Sequence, residues 1–97
     1  MMRKELGKIT RMEFGRCPDR GGLGLFFTLS GDGWGVDGSR AYIGSDYLTY
    51  MFEVGSFIVS LLNDAKVNYI SQLIGKPIEA TFDRNTLVDW RILKEVL

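Results

Sequence analysis

Tyr47-Leu-Thr-Tyr-Met-Phe-Glu-Val-Gly-Ser-Phe-Ile-Val-Ser-Leu-Leu-Asn-Asp-Ala-Lys66 is the stretch whose reading decides the fold. Leu48, Met51, Phe52, Gly55, Ile58 or Val59, Leu62 and Ala65 recur at the three-four spacing of one buried helix face. Ser45 or Asp46, just ahead, supplies a side-chain oxygen for the first free N–H groups, so a helix is predicted from about Tyr47 to about Lys66. A second apolar row, Tyr47, Tyr50, Val54, Phe57 and Leu61, lies beside the first and leaves only Thr49, Glu53, Ser56, Ser60 and Asp64 as a polar stripe. Helices this apolar are normally covered from both sides. Two coverings are open for the second row: strands that wrap further than usual, or a partner protein or second copy forming a homodimer.

Strand patterns flank the helix. From Leu6 to Phe14, the apolar residues Leu6, Met12 and Phe14 share a parity with Lys8 and Thr10, a ragged period of two. Arg16 to Gly22 reads as a turn, and Leu23 to Leu29 as a central strand paired antiparallel with the first. Ser30 to Ser39, with Gly31, Gly33, Gly35 and Gly38, reads as a loop or an irregular strand edge. After the helix, Ser71 to Gly75 forms a brief helical turn closed by Gly75, with Pro77 preventing continuation. A hairpin follows. A three-residue loop at Asp83-Arg84-Asn85 segregates its faces by pairing Ala80 with Val88 and Ile78 with Trp90, with Asn85 left-handed and Glu79 opposite Asp89. The expected architecture is a single α+β domain over residues 1–97: a four-stranded, mainly antiparallel sheet packed on one long helix.

Composition excludes several chemistries. Twelve basic and twelve acidic residues cancel, which argues against a general grip on nucleic acid or anionic membrane. There is no histidine and Cys17 is the sole cysteine, so Cys/His metal sites and imidazole-assisted nucleophilic catalysis are ruled out. Arg3, Lys4, Glu5, Lys8, Arg11 and Glu13 break up any apolar stretch a secretory signal needs, and no apolar run approaches a membrane span. A soluble cytoplasmic protein without a cofactor is expected.

Gly33-Trp34-Gly35-Val36-Asp37-Gly38 matches G-x-G-x-x-G, but Ser39 to Gly44 is not helix-like, so the dinucleotide-binding context fails. Asp32 and Asp37 lack the ligand spacing of a calcium loop. Carboxylate pairs such as Asp32 with Asp37 default to surface positions, because acid/base work also needs a concave site. Tyr42, Tyr47 and Tyr50 suit base stacking, but their acidic surroundings repel phosphate. Trp34 has two readings: an outward aromatic anchor on a glycine scaffold, or a cap on the core.

Two segments, Gly24 to Val36 and Leu61 to Leu93, resemble a group of small uncharacterised proteins encoded in phages and prophages. The most specific pieces are Ser30-Gly-Asp-Gly-Trp-Gly35 and Gly75-Lys-Pro-Ile-Glu79, followed by Asn85-Thr-Leu87 and Trp90-Arg-Ile-Leu93. The resemblance implies a phage accessory role and brings no catalytic residue. By analogy, such proteins bind host factors, including components of antiviral defence such as CRISPR-Cas. The leading expectation is therefore a non-enzymatic protein that binds a host protein through Asp32, Trp34, Asp37, Arg40 and Tyr42, with the row from Tyr47 to Leu61 as a further face. The alternative is a small-ligand binder in which loop N–H groups and Arg40 hold an anion such as a nucleotide.

Overall fold

A computed structural model describes residues 2–16, 23–41 and 47–97, apart from the side chains of Ala41 and Tyr47. The chain runs β1 (Met2–Arg16), β2 (Leu23–Gly31), β3 (Trp34–Ala41), α1 (Tyr47–Ala65), β4 (Pro77–Asp83) and β5 (Thr86–Ile92), with short 3-10 turns at Ile70–Leu73 and Lys94–Val96. The helix lies within a residue of its expected bounds. The described strands form one antiparallel sheet in the order β3-β2-β1-β4-β5, so five strands replace the expected four. The added strand is the glycine-rich segment. Asp32-Gly33 closes a two-residue turn with Gly33 at φ 79°, and β3 then pairs with β2 along its whole length. Ladder hydrogen bonds outweigh the weak strand preference of glycine there.

β1 is the spine of the sheet. Met2 to Lys8 pairs with β4, Gly7 to Arg16 pairs with β2, and only Gly7 and Lys8 have strand partners on both sides. Two wings therefore meet at Gly7-Lys8, and they fold toward each other. Phe27 on β2 touches Trp90 on β5, with ring centroids 5.1 Å apart, and Trp34 on β3 meets Phe82 on β4 edge-on at 5.2 Å. Each pair joins strands three places apart, which in a flat sheet lie about 14 Å from one another. The sheet is curled, and its concave face holds the core, including Ile9, Leu25, Leu29 and Ile78, all fully buried.

Two bulges set which side chains enter that core. In β1 the register shifts between Ile9 and Arg11, so Thr10 is the extra residue and Ile9 points inward with Met12. Leu6 lies on the opposite parity and is exposed, which corrects the expected grouping of Leu6 with Met12. In the second hairpin Asp83 pairs with Thr86 across the two-residue turn Arg84-Asn85, and a shift beside Val88 brings Ala80 opposite Trp90 and Ile78 opposite Ile92. The expected three-residue loop is thus replaced by a shorter turn plus a bulge, which also segregates the faces. Arg84, not Asn85, takes the positive φ, at 59°.

α1 closes the open side of the curl. Leu61 and Ala65 join the core and Phe57 packs edge-on against Trp90 at 6.0 Å. The Tyr50 hydroxyl lies 2.6 Å from the Leu23 carbonyl and 2.7 Å from the Arg40 carbonyl, pinning the first half of the helix to the ends of β2 and β3. Beyond α1, the Gln72 side-chain oxygen accepts from the Asn68 and Tyr69 N–H groups, Leu73 is fully buried, and Gly75 takes φ 89°, as the expected turn requires. The Gly75 N–H then donates to the Ile9 carbonyl at 2.7 Å, extending the β1 contact past the end of β4. Among the described residues, no helix is long and apolar enough to cross a membrane.

Candidate functional site

Side chains alternate along β3, and that alternation separates the expected site residues. Trp34, Val36, Gly38 and Arg40 share the parity of the concave face, while Asp37 lies on the outer parity. The Trp34 indole packs against the core. It passes so close to Gly7 and Gly31 that a methyl group on either would collide with it: a Cβ on Gly31 would sit 2.2 Å from the indole Nε1, and one on Gly7 2.8 Å from the ring. The Nε1 atom is itself buried without a hydrogen-bond partner. An outward aromatic anchor is therefore corrected to a core cap, because two glycines facing each other across β1 and β2 leave a slot the ring fills.

The other candidates are held in different places. The Thr28 hydroxyl donates to Asp37 at 2.6 Å and accepts from Arg11 Nε at 3.0 Å, while Arg11 Nη1 donates to Glu13 at 3.1 Å. Asp37 thus ends a polar row crossing three strands on the outer face. The Arg40 guanidinium lies on the inner side, 4.0 Å from the centre of the Phe57 ring. Asp32 is exposed in the turn, beside an open hollow of about 460 Å³ bordered by Leu6, Lys8, Thr10 and Ser30. At about 3.4 Å per residue, the N–H groups of the Asp32-Gly33 turn and Arg40 lie about 24 Å apart along the strand. They cannot close on one small anion. Tyr42 lies outside the described residues.

The carboxylates are equally dispersed. The observed register puts Glu79 opposite Arg91 instead of Asp89, and the two form an ion pair at 3.2 Å. Arg91 also grips both oxygens of Glu95 at 3.0 Å. Those bonds hold the Glu95 carboxyl below its usual range and raise Arg91, whose larger contribution comes from Glu95 and whose smaller one comes from Glu79. Among the described residues, no group of three or more acidic or thiol side chains is placed to hold a metal ion.

The helix contains the clearest surface feature. Val54 and Leu61 are buried and Phe57 and Tyr50 are partly buried, so of the two coverings open to this row it is the strands that wrap it, and its assignment as a partner face is corrected; the Tyr47 side chain lies outside the described residues. Part of the row expected in the core is what remains free. Leu48, Phe52 and Val59 are 81%, 77% and 55% exposed. Met51, Phe52, Gly55, Ser56 and Val59 border a shallow open hollow of about 440 Å³ centred on Gly55. The sequence carries the signal, two apolar rows on one helix, but their periodicity is the same. The choice between them is made by Phe57 reaching Trp90 and by Tyr50 reaching two strand carbonyls, which are contacts across distant parts of the chain. Comparisons with protein-family models, curated proteins and solved structures give no match to this chain.

Proposed function

We propose that this chain is a non-enzymatic accessory protein of the phage type that works by binding another protein, in the cytoplasm of a bacterial host. A host factor is the target, and inhibition of an antiviral defence system is the most concrete form of the reading. The observation that carries protein contact is the outer face of α1, where Leu48, Phe52 and Val59 stand in solvent around the Gly55 hollow. Apolar side chains grouped on one helix face at this exposure gain about 1.5 to 3 kcal/mol each when a partner covers them. The scattered positions of Asp32, Trp34, Asp37 and Arg40 support contact through the helix over contact through the glycine-rich segment. The same dispersal withdraws support from the anion-binding alternative.

Capture from a bacterial lysate with tagged wild type, Phe52→Glu and Asp37→Ala tests this, followed by reconstitution with the purified captured protein. Saturable binding by wild type and Asp37→Ala, lost in Phe52→Glu, is the expected result. Binding that survives Phe52→Glu and fails in Asp37→Ala would return the function to the β2–β3 hairpin. A melting temperature raised by nucleotides or inorganic phosphate in a thermal-shift screen would favour the ligand reading instead.

A further inference from the structure

We propose that the outer face of α1 is self-complementary and pairs with a second copy of this chain, the two helices antiparallel about a two-fold axis. This rests on reading that face as a protein-contact surface and names what covers it in the isolated protein. A two-fold interface requires that if residue i meets residue j, then j meets i. Leu48, Phe52, Gly55 and Val59 follow the four-three-four spacing of a helix–helix seam. In an antiparallel pair, one register satisfies the seam at once: Phe52 enters the hollow at Gly55 of the other copy and Leu48 meets Val59, while the Met51 flanks of the two copies lie on one side of the seam and the Ser56 flanks on the other. Each pairing sets a large side chain against a smaller one. Gly55 has no role within its own fold, since a Cβ there would meet nothing within 4 Å. A glycine in mid-helix lowers helix stability, and the Phe52 ring of a second copy gives it a use.

Charge selects the occupant. Glu53 is the sole residue charged at neutral pH from Leu48 to Asn63 and falls outside the seam, so two copies approach without like-charge repulsion. α1 carries no lysine or arginine, so it lacks the basic flank with which an amphipathic helix settles on anionic lipid. The patch is small, on the order of 400 Å² per copy, against the ~800 Å² per partner of a stable interface. The dimer is therefore weak and concentration-dependent, and a host protein needing this face competes with it.

Sedimentation equilibrium across micromolar concentrations, with two crosslinking variants, tests the proposal. Wild type should shift from monomer to dimer with concentration, and folded Phe52→Glu, checked by circular dichroism, should weaken the dimer at least about thirtyfold. Gly55→Leu, which fills the hollow and excludes the Phe52 ring of the other copy, should weaken it similarly without removing an apolar side chain. In a Cys17→Ser background, Leu48→Cys and Val59→Cys are made as separate proteins. Mixed and oxidised, they should give a disulfide-linked heterodimer, while neither alone gives a linked dimer, because each thiol then faces an apolar side chain across the pair. Linkage in each variant alone would mean a parallel pair and overturn the register. A wild type that stays monomeric throughout would overturn the dimer, while Phe52-dependent binding of a purified host protein would still stand. A Phe52-dependent dimer with Phe52-independent host binding would leave the dimer intact and refute the host-contact reading.

Discussion

Trp34 illustrates how one side chain can be placed by its neighbours' absence of side chains. Its ring sits over Gly7 and Gly31 and meets Phe82 edge-on, yet its N–H is buried without a partner. An unpaired buried donor forfeits its hydration. Trp34→Phe, which removes the donor and keeps a ring in the slot, should therefore change stability by less than about 1 kcal/mol, whereas Trp34→Ala should cost about 2 to 3 kcal/mol by urea unfolding. If phenylalanine proves as damaging as alanine, the indole N–H has a partner after all. Gly31→Ala should cost about 2 kcal/mol through overpacking, and part of that loss should vanish when Trp34 is also alanine, the rest coming from the Leu6 carbonyl, 2.6 Å from the added Cβ. Equal losses in both backgrounds would mean that the Gly31 collision is with backbone and the indole is uninvolved. The sequence presents Trp34 and the glycines together but does not show which way the indole turns, because Gly7 and Gly31 become neighbours only through strand pairing.

At the scale of elements, short-range signals are legible in the sequence and pairings between distant segments are not. α1 is legible because one helix needs only its own periodicity. The second hairpin is legible as a hairpin, but a bulge at Val88 takes the place of a longer loop, and no local pattern distinguishes the two. β3 is hidden because its glycines disfavour an isolated strand, while pairing with β2 supplies the ladder that holds it. The C-terminal 3-10 turn is fastened by the exposed Arg91–Glu95 pair. Glu95 has its folded-state pKa lowered by the Arg91 hydrogen bonds, so its contribution is present at neutral pH and is lost as pH falls through that lowered value. The melting temperature of wild type should therefore exceed that of Glu95→Gln at pH 7, and the gap should close in acid and shrink with added salt. A gap that widens as pH falls would contradict the assigned pairing. For α1, Tyr50→Phe should cost about 1 to 2 kcal/mol by deleting the hydroxyl shared between two strand carbonyls; an unchanged unfolding midpoint would show that the helix is held without that bond.

For the whole molecule, the curl of the sheet determines what is left outside. Because the wings close at Phe27–Trp90 and Trp34–Phe82, one helix can cover the opening with only part of its apolar surface, and Tyr50, Val54, Phe57 and Leu61 together with Ile58, Leu62 and Ala65 are the part used. A flat sheet would have offered a broader floor. The surplus, Leu48, Phe52 and Val59, is therefore a consequence of the curvature, and it is the basis of the protein-contact reading. The most direct measurement is thiol reactivity at low micromolar concentration, in a Cys17→Ser background, with Phe52→Cys and Val54→Cys made as separate single-cysteine proteins. The thiol of Phe52→Cys should react as fast as a free thiol, while that of Val54→Cys reacts roughly a hundredfold more slowly, limited by opening of the fold. Fast labelling of Val54→Cys with protection of Phe52→Cys would mean that α1 is turned the other way, and the proposed contact surface would be part of the core.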